Sequence, residues 1–444
     1  MNKSPIKLKV RVREFTLPES TRMNATVIIP TVKGIPGLKY GKHAYYFMDF
    51  KSLKGFCFEI SHLDIIRPGW NKFKRTVAKH NRPASISRCC SSLYHYGFSL
   101  LEQVMLMTVP HTATFIGNGR FIINLWSWFG YVLIDTATKT AEYHILPDRP
   151  NDMVLGSQQW FDSQTKSLYA MSYSLNDSIK RIAEPTHPVE FEIFKHKLNS
   201  SERETIWRGG LSDYMHDIIV NKTRQYCVAC ELGMHKDAND NILPSKVLIV
   251  DMKNGKHWKL DKFIVAAHAC FDPQDPNTVY FSNHNFEFKH STLWQLIKKG
   301  SYAVKFRDPA SIYKYELTSD GPHEIGIFTH PDFYRLTNMH AFVHRGCNVI
   351  IAMGFPDELF LINADDMTFI KKIFIKDPLS IKHFYSKKKA LVGTIAPSPD
   401  GEKLFVQTTR SFQVVDINSG DCEYTKDYYF SHICFNHMLA TGEE

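Results

Sequence analysis

Histidine is the residue type with the clearest chemical potential in this sequence. The chain has 444 residues, and 21 of them are histidines. Five stand at the same place in five similar segments, at the start of a short apolar stretch: His111, His216, His268, His340 and His432. Neutral imidazoles that meet at one point suit a divalent transition metal such as iron, zinc, copper or nickel. Four ligands would be enough, with open positions left for water or substrate.

A repeated strand ending shows how these segments are organised. Two or three apolar residues are followed by Asp or Asn and then by a polar turn, in which the side chain of the Asp or Asn can cap the turn. The marked residues are Asp135, Asp251, Asn363 and Asp416, so the steps between them are 116, 112 and 53 residues. One unit is therefore a little over fifty residues long, and residues 191–198 and 311–317 mark the two units that lack the ending.

Units of about fifty residues with several short strands are typical of propeller blades. We predict an all-β, seven-bladed β-propeller that forms a single domain over residues 1–444. Six units run from about Pro110 to Tyr428. The seventh is expected to join the tail 429–438, as its inner strand, to residues 44–48 and 55–60, so that paired chain ends leave no open sheet edge.

Two stretches interrupt the repeat. Residues 85–107 and 286–306 lack strand alternation and are predicted as short helical insertions. Insertions between blades usually lie on one face. A lid over the channel, a peripheral membrane contact and a simple packing role all stay open.

In a propeller the innermost strands surround the central axis, which gives the five histidines a common location. Equivalent positions in successive blades then form one ring. The alternative is structural, because a histidine at the end of an inner strand often hydrogen-bonds the neighbouring blade. Four carboxylates are available by type to orient the imidazoles, namely Glu142, Glu184, Glu231 and Asp217.

Composition excludes several other classes of protein. A net charge of +9 comes from scattered Lys and Arg, with clusters such as residues 72–75 read as solvated turns, so we expect no nucleic-acid partner. No secretory signal or membrane-spanning run is visible. Nine cysteines without framework spacing predict reduced thiols and a cytoplasmic location.

Two short motifs have ordinary explanations. Residues three apart on a strand point to opposite faces, so Cys227 and Cys230 are not expected to chelate a metal together. Gly117-Asn118-Gly119 is predicted as a hairpin turn, because it lacks the third glycine of a dinucleotide-binding motif.

The histidine pattern resembles that of the carotenoid cleavage oxygenases. The segment Met215-His216-Asp217-Ile-Ile-Val is similar to a His-Asp-Phe-Ala-Ile signature of that family, and His432 resembles its last ligand. The resemblance implies a seven-bladed propeller in which four axial histidines hold Fe(II), with His111 and His268 as the other two ligands.

A second resemblance is to the oligogalacturonate lyases, through residues 267–284. This family uses histidines and a glutamine to bind Mn²⁺, so the resemblance implies a ligand role for Gln158 or Gln159. A positively charged chain would suit a uronate substrate.

Three functional hypotheses follow from these patterns. The first is a metal-dependent enzyme, most simply a nonhaem iron oxygenase that acts on an apolar small molecule in the channel, with His340 as a fifth ligand or an acid/base group. The second is a Mn²⁺ or Zn²⁺ lyase for an acidic substrate. The third is a propeller scaffold that binds a protein partner and whose histidines are structural.

Overall fold

The computed structural model has seven β-sheets arranged as the blades of a propeller, as predicted. The residues described are 5–33, 41–80, 110–125, 128–146, 153–183, 187–198, 200, 203–211, 215–231, 244–266, 268–284, 286–289, 303–306, 309–334, 338–354, 357–376, 392–408, 411–427 and 439–441.

The blades are numbered along the chain from the first complete one, with strands β1–β32 in chain order. Blade 1 contains β6 (Pro110–Phe115), β7 (Arg120–Leu125), β8 (Gly130–Asp135) and β9 (Thr140–Ile145). Blade 2 contains β10 (Met153–Asp162), β11 (Ser167–Ser174), β12 (Val189–Lys197) and β13 (Arg203–Leu211). Blade 3 contains β14 (Met215–Val220), β15 (Tyr226–Glu231), β16 (Ser245–Asp251) and β17 (His257–Phe263).

Blades 4 to 6 repeat this arrangement. Blade 4 contains β18 (Ala269–Phe271), β19 (Thr278–Asn283), β22 (Ser311–Leu317) and β23 (Pro322–Thr329). Blade 5 contains β24 (Met339–His344), β25 (Cys347–Met353), β26 (Glu358–Asn363) and β27 (Thr368–Phe374). Blade 6 contains β28 (Val392–Pro397), β29 (Lys403–Thr408), β30 (Ser411–Asp416) and β31 (Cys422–Asp427).

Blade 7 closes the ring by combining both ends of the chain. Its strands, from the outer edge inward, are β2 (Val10–Thr16), β5 (Lys54–Ser61), β4 (Lys42–Asp49), β3 (Thr26–Lys33) and β32 (Leu439–Thr441). The predicted partners 44–48 and 55–60 lie in β4 and β5. The predicted tail strand 429–438 lies outside the described residues, and the described closing strand follows it directly. A further strand, β1 (Ile6–Lys7), pairs with β9 of blade 1.

The marked turns form as the sequence predicted. Each cap accepts a backbone N–H at 2.9 Å: Thr138 to Asp135, Lys253 to Asp251, Asp365 to Asn363, and Asn418 and Ser419 to Asp416. Gly255 and Gly420 follow two of these caps with φ of 73° and 76°, in the left-handed region that favours glycine. The marks end the third strand of their blades, which explains their regular spacing.

The prediction of a helical insertion at 286–306 is wrong at both ends of this stretch. Residues Phe286–Lys289 form β20 and residues Ala303–Phe306 form β21, and the two strands pair antiparallel with each other. Phe-Glu-Phe-Lys alternates with a period of two, which favours a strand over a helix. The other predicted insertion, 85–107, lies outside the described residues.

Two helices were not predicted. Helix α1 spans His62–His80 and contains Pro68, and helix α2 spans Leu175–Ala183 between β11 and β12. Helix α1 includes residues 72–75, which were expected to be a solvated turn. It packs an aromatic side chain onto blade 1, where the rings of Phe73 and Trp128 lie 5.9 Å apart. No helix among the described residues has the length and apolar character required to cross a bilayer.

An ion pair joins blades 2 and 3, and a buried histidine pair lies in blade 7 and the start of α1. The guanidinium of Arg224, in the β14–β15 turn, donates to Asp162 at the end of β10, at 2.7 Å and 3.0 Å. Within blade 7 and the start of α1, His43 is hydrogen-bonded to Tyr45 at 2.8 Å and to His62 at 3.0 Å. Burial lowers the pKa of His62 to about 4 and holds that of His43 well below its usual value.

Candidate functional site

The channel-facing positions chosen from the sequence coincide with irregularities in the inner strands. The pairing register of β6 shifts between Pro110 and Ala113, and that of β14 shifts between Met215 and Asp217. The registers of β10 and β28 shift between Leu155 and Gln159 and between Val392 and Thr394. A β-bulge of this kind places extra residues outside the ladder and re-aims side chains. In four blades, the aligned positions thus coincide with a β-bulge of the inner strand.

Two of the predicted histidines lie together. The ring centroids of His216 and His268 are 4.9 Å apart, with the ring planes at 85°. His216 belongs to β14 of blade 3, and His268 immediately precedes β18 of blade 4. Both residues are buried, with 6% and 5% of their surface exposed. The structure therefore brings imidazoles from consecutive blades into contact, as the ring hypothesis requires for neighbours.

Asp217 is the carboxylate beside this pair. Its Oδ2 lies 3.8 Å from Nδ1 of His268 and accepts the backbone N–H of Ala269 at 3.0 Å. Its Oδ1 is buried and has no hydrogen-bond partner among the described residues. Asp217, one of the four carboxylates available by type, thus lies close to a histidine of the ring.

The other carboxylates serve other contacts. Glu142 lies 3.5 Å from His144, and Glu231 accepts the backbone N–H of Lys246 at 2.9 Å. Glu184 lies outside the described residues. Glu231 is buried on β15, where its ladder partner is Met215, the residue before His216.

His340 approaches the same region from blade 5. Burial lowers its pKa to about 4, and the proximity of His268 lowers it further, whereas a hydrogen bond to the Ile395 backbone and the Asp217 carboxylate act in the opposite direction. Its Nε2 is buried with no hydrogen-bond partner among the described residues. His340 is therefore a neutral base at physiological pH, with one ring nitrogen available.

Hydroxyl groups fix the backbone around the pair. Ser157 of blade 2 donates to the carbonyl of His216, and Thr112 of blade 1 donates to the carbonyl of Ser157 at 3.1 Å. Ser282 accepts the backbone N–H of His268 at 3.0 Å. The two contacts of Ser157 link blades 1, 2 and 3 at the level of the histidines, and the contact of Ser282 lies within blade 4. The sequence analysis missed them, because short hydroxyl residues are common in strands and give no distinctive signal.

The remaining predicted ligands are placed less fully. His111 lies in the bulge of β6, but its side chain is outside the described part of the structure, as is the whole of His432. Within the described residues, no group of three or more His, Cys, Asp or Glu side chains is arranged to hold a metal ion. Cys227 and Cys230 are both buried, in hydrophobic clusters on opposite faces of β15, which agrees with the expectation that they do not chelate together.

One histidine near the site was not among the predicted ligands. His284 is buried, and its ring centroid lies 6.1 Å from that of His268. It follows β19 directly, one strand away from the position that the alignment used. Only a comparison of second strands would have found it.

A cavity of about 970 Å³ runs along the inner strands. His268, His340, Asp217 and Gln158 line one part of it, and Gln159 lies beside Gln158. The lining continues along the whole of the inner strand of blade 1 from Thr112 to the turn at residues 117–119. This turn is the predicted hairpin, with φ of 87°, 54° and 66° at its three residues.

Comparisons with known proteins add little to the fold. No protein-family model matches the sequence, and no curated protein matches it. Among solved structures, Raptor from Chaetomium thermophilum is similar over 72% of this chain and 24% of that one, with 9% identity and a TM-score of 0.46. The chain thus matches about a quarter of the length of Raptor. The resemblance to carotenoid cleavage oxygenases or oligogalacturonate lyases has no support from a family model.

Proposed function

We propose that this propeller is a metal-dependent enzyme whose ion is bound by histidines on the channel axis and whose substrate is a small molecule in the channel. The observation that carries this proposal is the contact between the rings of His216 and His268, 4.9 Å apart on consecutive blades and beside the carboxylate of Asp217.

The spacing of these rings fits two ligands of one ion. Imidazole nitrogens bind zinc at about 2.1 Å, and for bond angles between a right angle and a tetrahedral one the two ring centroids are about 4.5 to 5.2 Å apart. The observed separation falls in this range. Two imidazoles with a carboxylate in the outer shell are also a donor set that transition metals accept.

Four residues of the ring would hold the ion: His111, His216, His268 and His432. Fe(II) is the favoured metal, with Mn²⁺ or Zn²⁺ as alternatives. A bound Fe(II) would supply oxygen chemistry, whereas Mn²⁺ or Zn²⁺ would supply Lewis-acid chemistry suited to a lyase.

The neighbouring residues have separate roles in this proposal. Asp217 keeps the His268 ring oriented. His340 holds or accepts a proton at Nε2, since this nitrogen is buried and its imidazole is neutral near pH 7. Gln158 lines the cavity and can hydrogen-bond a substrate or complete the metal ligands.

Elemental analysis of protein purified without a histidine tag tests this function. We expect close to one equivalent of a transition metal in the wild type and in His323→Ala, which changes an exposed histidine on β23. We expect substantial loss of metal in His216→Ala and His268→Ala. Titration of metal into chelator-treated wild type gives a second measurement that does not depend on whether a variant folds.

Each outcome of this experiment is informative. Iron would favour oxygen chemistry, and manganese or zinc would favour the lyase. If the wild type neither retains nor takes up any of the three metals, the enzyme proposal is wrong and the propeller is better explained as a scaffold for a protein partner.

A further inference from the structure

The cavity carries an excess of positive charge at the end away from the histidines. Arg120 and Lys166 both line it, at the hairpin turns that follow the inner strands of blades 1 and 2. The only carboxylate among the described lining residues is Asp217, at the histidine level. Strand residues rise by about 3.3 Å each, so the four steps from Thr112 to Ile116 separate the two levels by about 13 Å.

Arg120 has a buried donor without an acceptor among the described residues. Its Nε atom is buried and has no hydrogen-bond partner within the described residues, and the guanidinium makes no ion pair there. A buried donor that stays unsatisfied destabilises the fold, and more so when the group is charged. An acceptor supplied by a ligand would remove this cost.

Another arginine at an inner hairpin shows how the fold satisfies such a group elsewhere. Arg224 follows the inner strand of blade 3, and Asp162 neutralises it with two hydrogen bonds. Arg224 does not line the cavity, and Arg120 does. Of these two arginines, the one whose buried Nε has no partner among the described residues is thus the one that lines the cavity.

We propose that the channel takes an anionic small molecule and that Arg120 binds its carboxylate or phosphate group, with Lys166 adding attraction at the same end. Arginine presents a planar fork of donors that matches either group. The charge of the cavity is the evidence for an anion-binding site. That the bound anion is a substrate rests on the proposed function. Apolar side chains such as Phe115, Ile116 and Phe161 also line this cavity, so the anion can carry an apolar part.

Calorimetric titration with two probe anions, inorganic phosphate and glutarate, tests the proposal. We expect the wild type to bind at least one of them, and the preferred probe identifies the acidic group. A hydrogen bond to a charged group contributes about 1.5 kcal/mol or more, so Arg120→Gln should weaken binding about tenfold or more. Arg120→Lys keeps the charge but not the fork and should lie in between.

Arg11→Gln is the matched control, because it removes the same charge from an exposed position on β2 that does not line the cavity. It should leave the affinity unchanged. Lys166→Gln should weaken binding less than Arg120→Gln and reduce its dependence on salt. The proposal is overturned if the wild type binds neither anion at low salt, or if Arg120→Gln and Arg11→Gln bind equally well.

Metal content separates this proposal from the proposed function. Arg120→Gln should retain the same metal as the wild type, because Arg120 is about 13 Å from the histidine level. Anion binding by a protein without metal would leave the anion site standing and remove the metal enzyme. A metal-loaded protein that binds no anion would support the metal enzyme and contradict the anion site.

Discussion

Oδ2 of Asp217 accepts the backbone N–H of Ala269 at 3.0 Å, across the boundary between blades 3 and 4. The same oxygen lies 3.8 Å from Nδ1 of His268. One carboxylate oxygen therefore fixes both the start of β18 and the surroundings of the imidazole that precedes it. The identity of residue 217 is expected to affect the metal site and the blade boundary separately.

Replacing Asp217 tests this separation. Asp217→Asn keeps an oxygen for the Ala269 amide, so the free energy of unfolding should change by about 1 kcal/mol or less. Metal affinity should fall about 10- to 100-fold, as is usual when a carboxylate that orients a histidine is lost. Denaturant unfolding and metal titration measure the two effects. Asp217→Ala should also be less stable by about 1 to 3 kcal/mol, and equal stability of the two variants would contradict this role.

The buried pair His43 and His62 predicts a loss of stability in acid. An unfolded histidine has a pKa near 6.5, whereas that of folded His62 is about 4 and that of His43 is lower than usual. As the pH falls from about 6.5 to 4, the unfolded chain binds protons that the folded chain does not, so the free energy of unfolding decreases. His62 alone should account for roughly 3 kcal/mol across this window.

Unfolding by urea at several pH values measures this slope. His62→Leu should flatten it, whatever its effect on stability at neutral pH. His323→Leu, at an exposed position, is the control and should keep the wild-type slope. An unchanged slope in His62→Leu would show that other groups cause the acid sensitivity.

The contact between blades 2 and 3 through Asp162 and Arg224 should stabilise the fold. The Asp162 side chain is 2% exposed and that of Arg224 is 30% exposed. Arg224→Met leaves a buried carboxylate with a lost partner, which should cost about 2 kcal/mol in the free energy of unfolding. Arg67→Met removes an arginine from an exposed pair with Asp64 and should cost about 0.5 kcal/mol or less. Similar costs for the two variants in denaturant unfolding would refute a special role for Arg224.

Truncation after Met438 tests the closure of blade 7. The deletion removes three register pairs of β32, namely Thr26 with Thr441, Val27 with Ala440 and Ile28 with Leu439. It leaves β3 as an open sheet edge, so we expect a Tm lower by at least about 2 °C and a greater tendency to aggregate. Truncation after Thr441 retains these pairs and serves as the control. Indistinguishable melting curves for the two truncations would show that β32 does not seal the ring.

The blade pattern could be predicted because its marks depend on local chemistry. Asp251 and Asp416 cap the turns that end third strands, and a turn of this kind needs the same residue types in every blade. Helix α1 was missed because Pro68 and the cluster at 72–75 look like a turn when the aromatic contact of Phe73 with Trp128 is unknown.

The site was predictable only in its location along the chain. Aligning His216 with His268 identified positions that the structure brings together. Whether a side chain enters the channel depends on the bulges in the inner strands, which involve partners on other strands. Arg120 gave no signal at all, because a buried Nε without a hydrogen-bond partner among the described residues is a property of the folded chain.

The bulges at the channel level also affect how readily the protein could be redesigned. In β14 the register passes from Met215 to Asp217, so His216 has no partner opposite it in the ladder. A new side chain at such a position leaves every cross-strand pair in place. Positions in these bulges can therefore be varied one blade at a time, which makes the propeller a versatile framework for installing other chemistries.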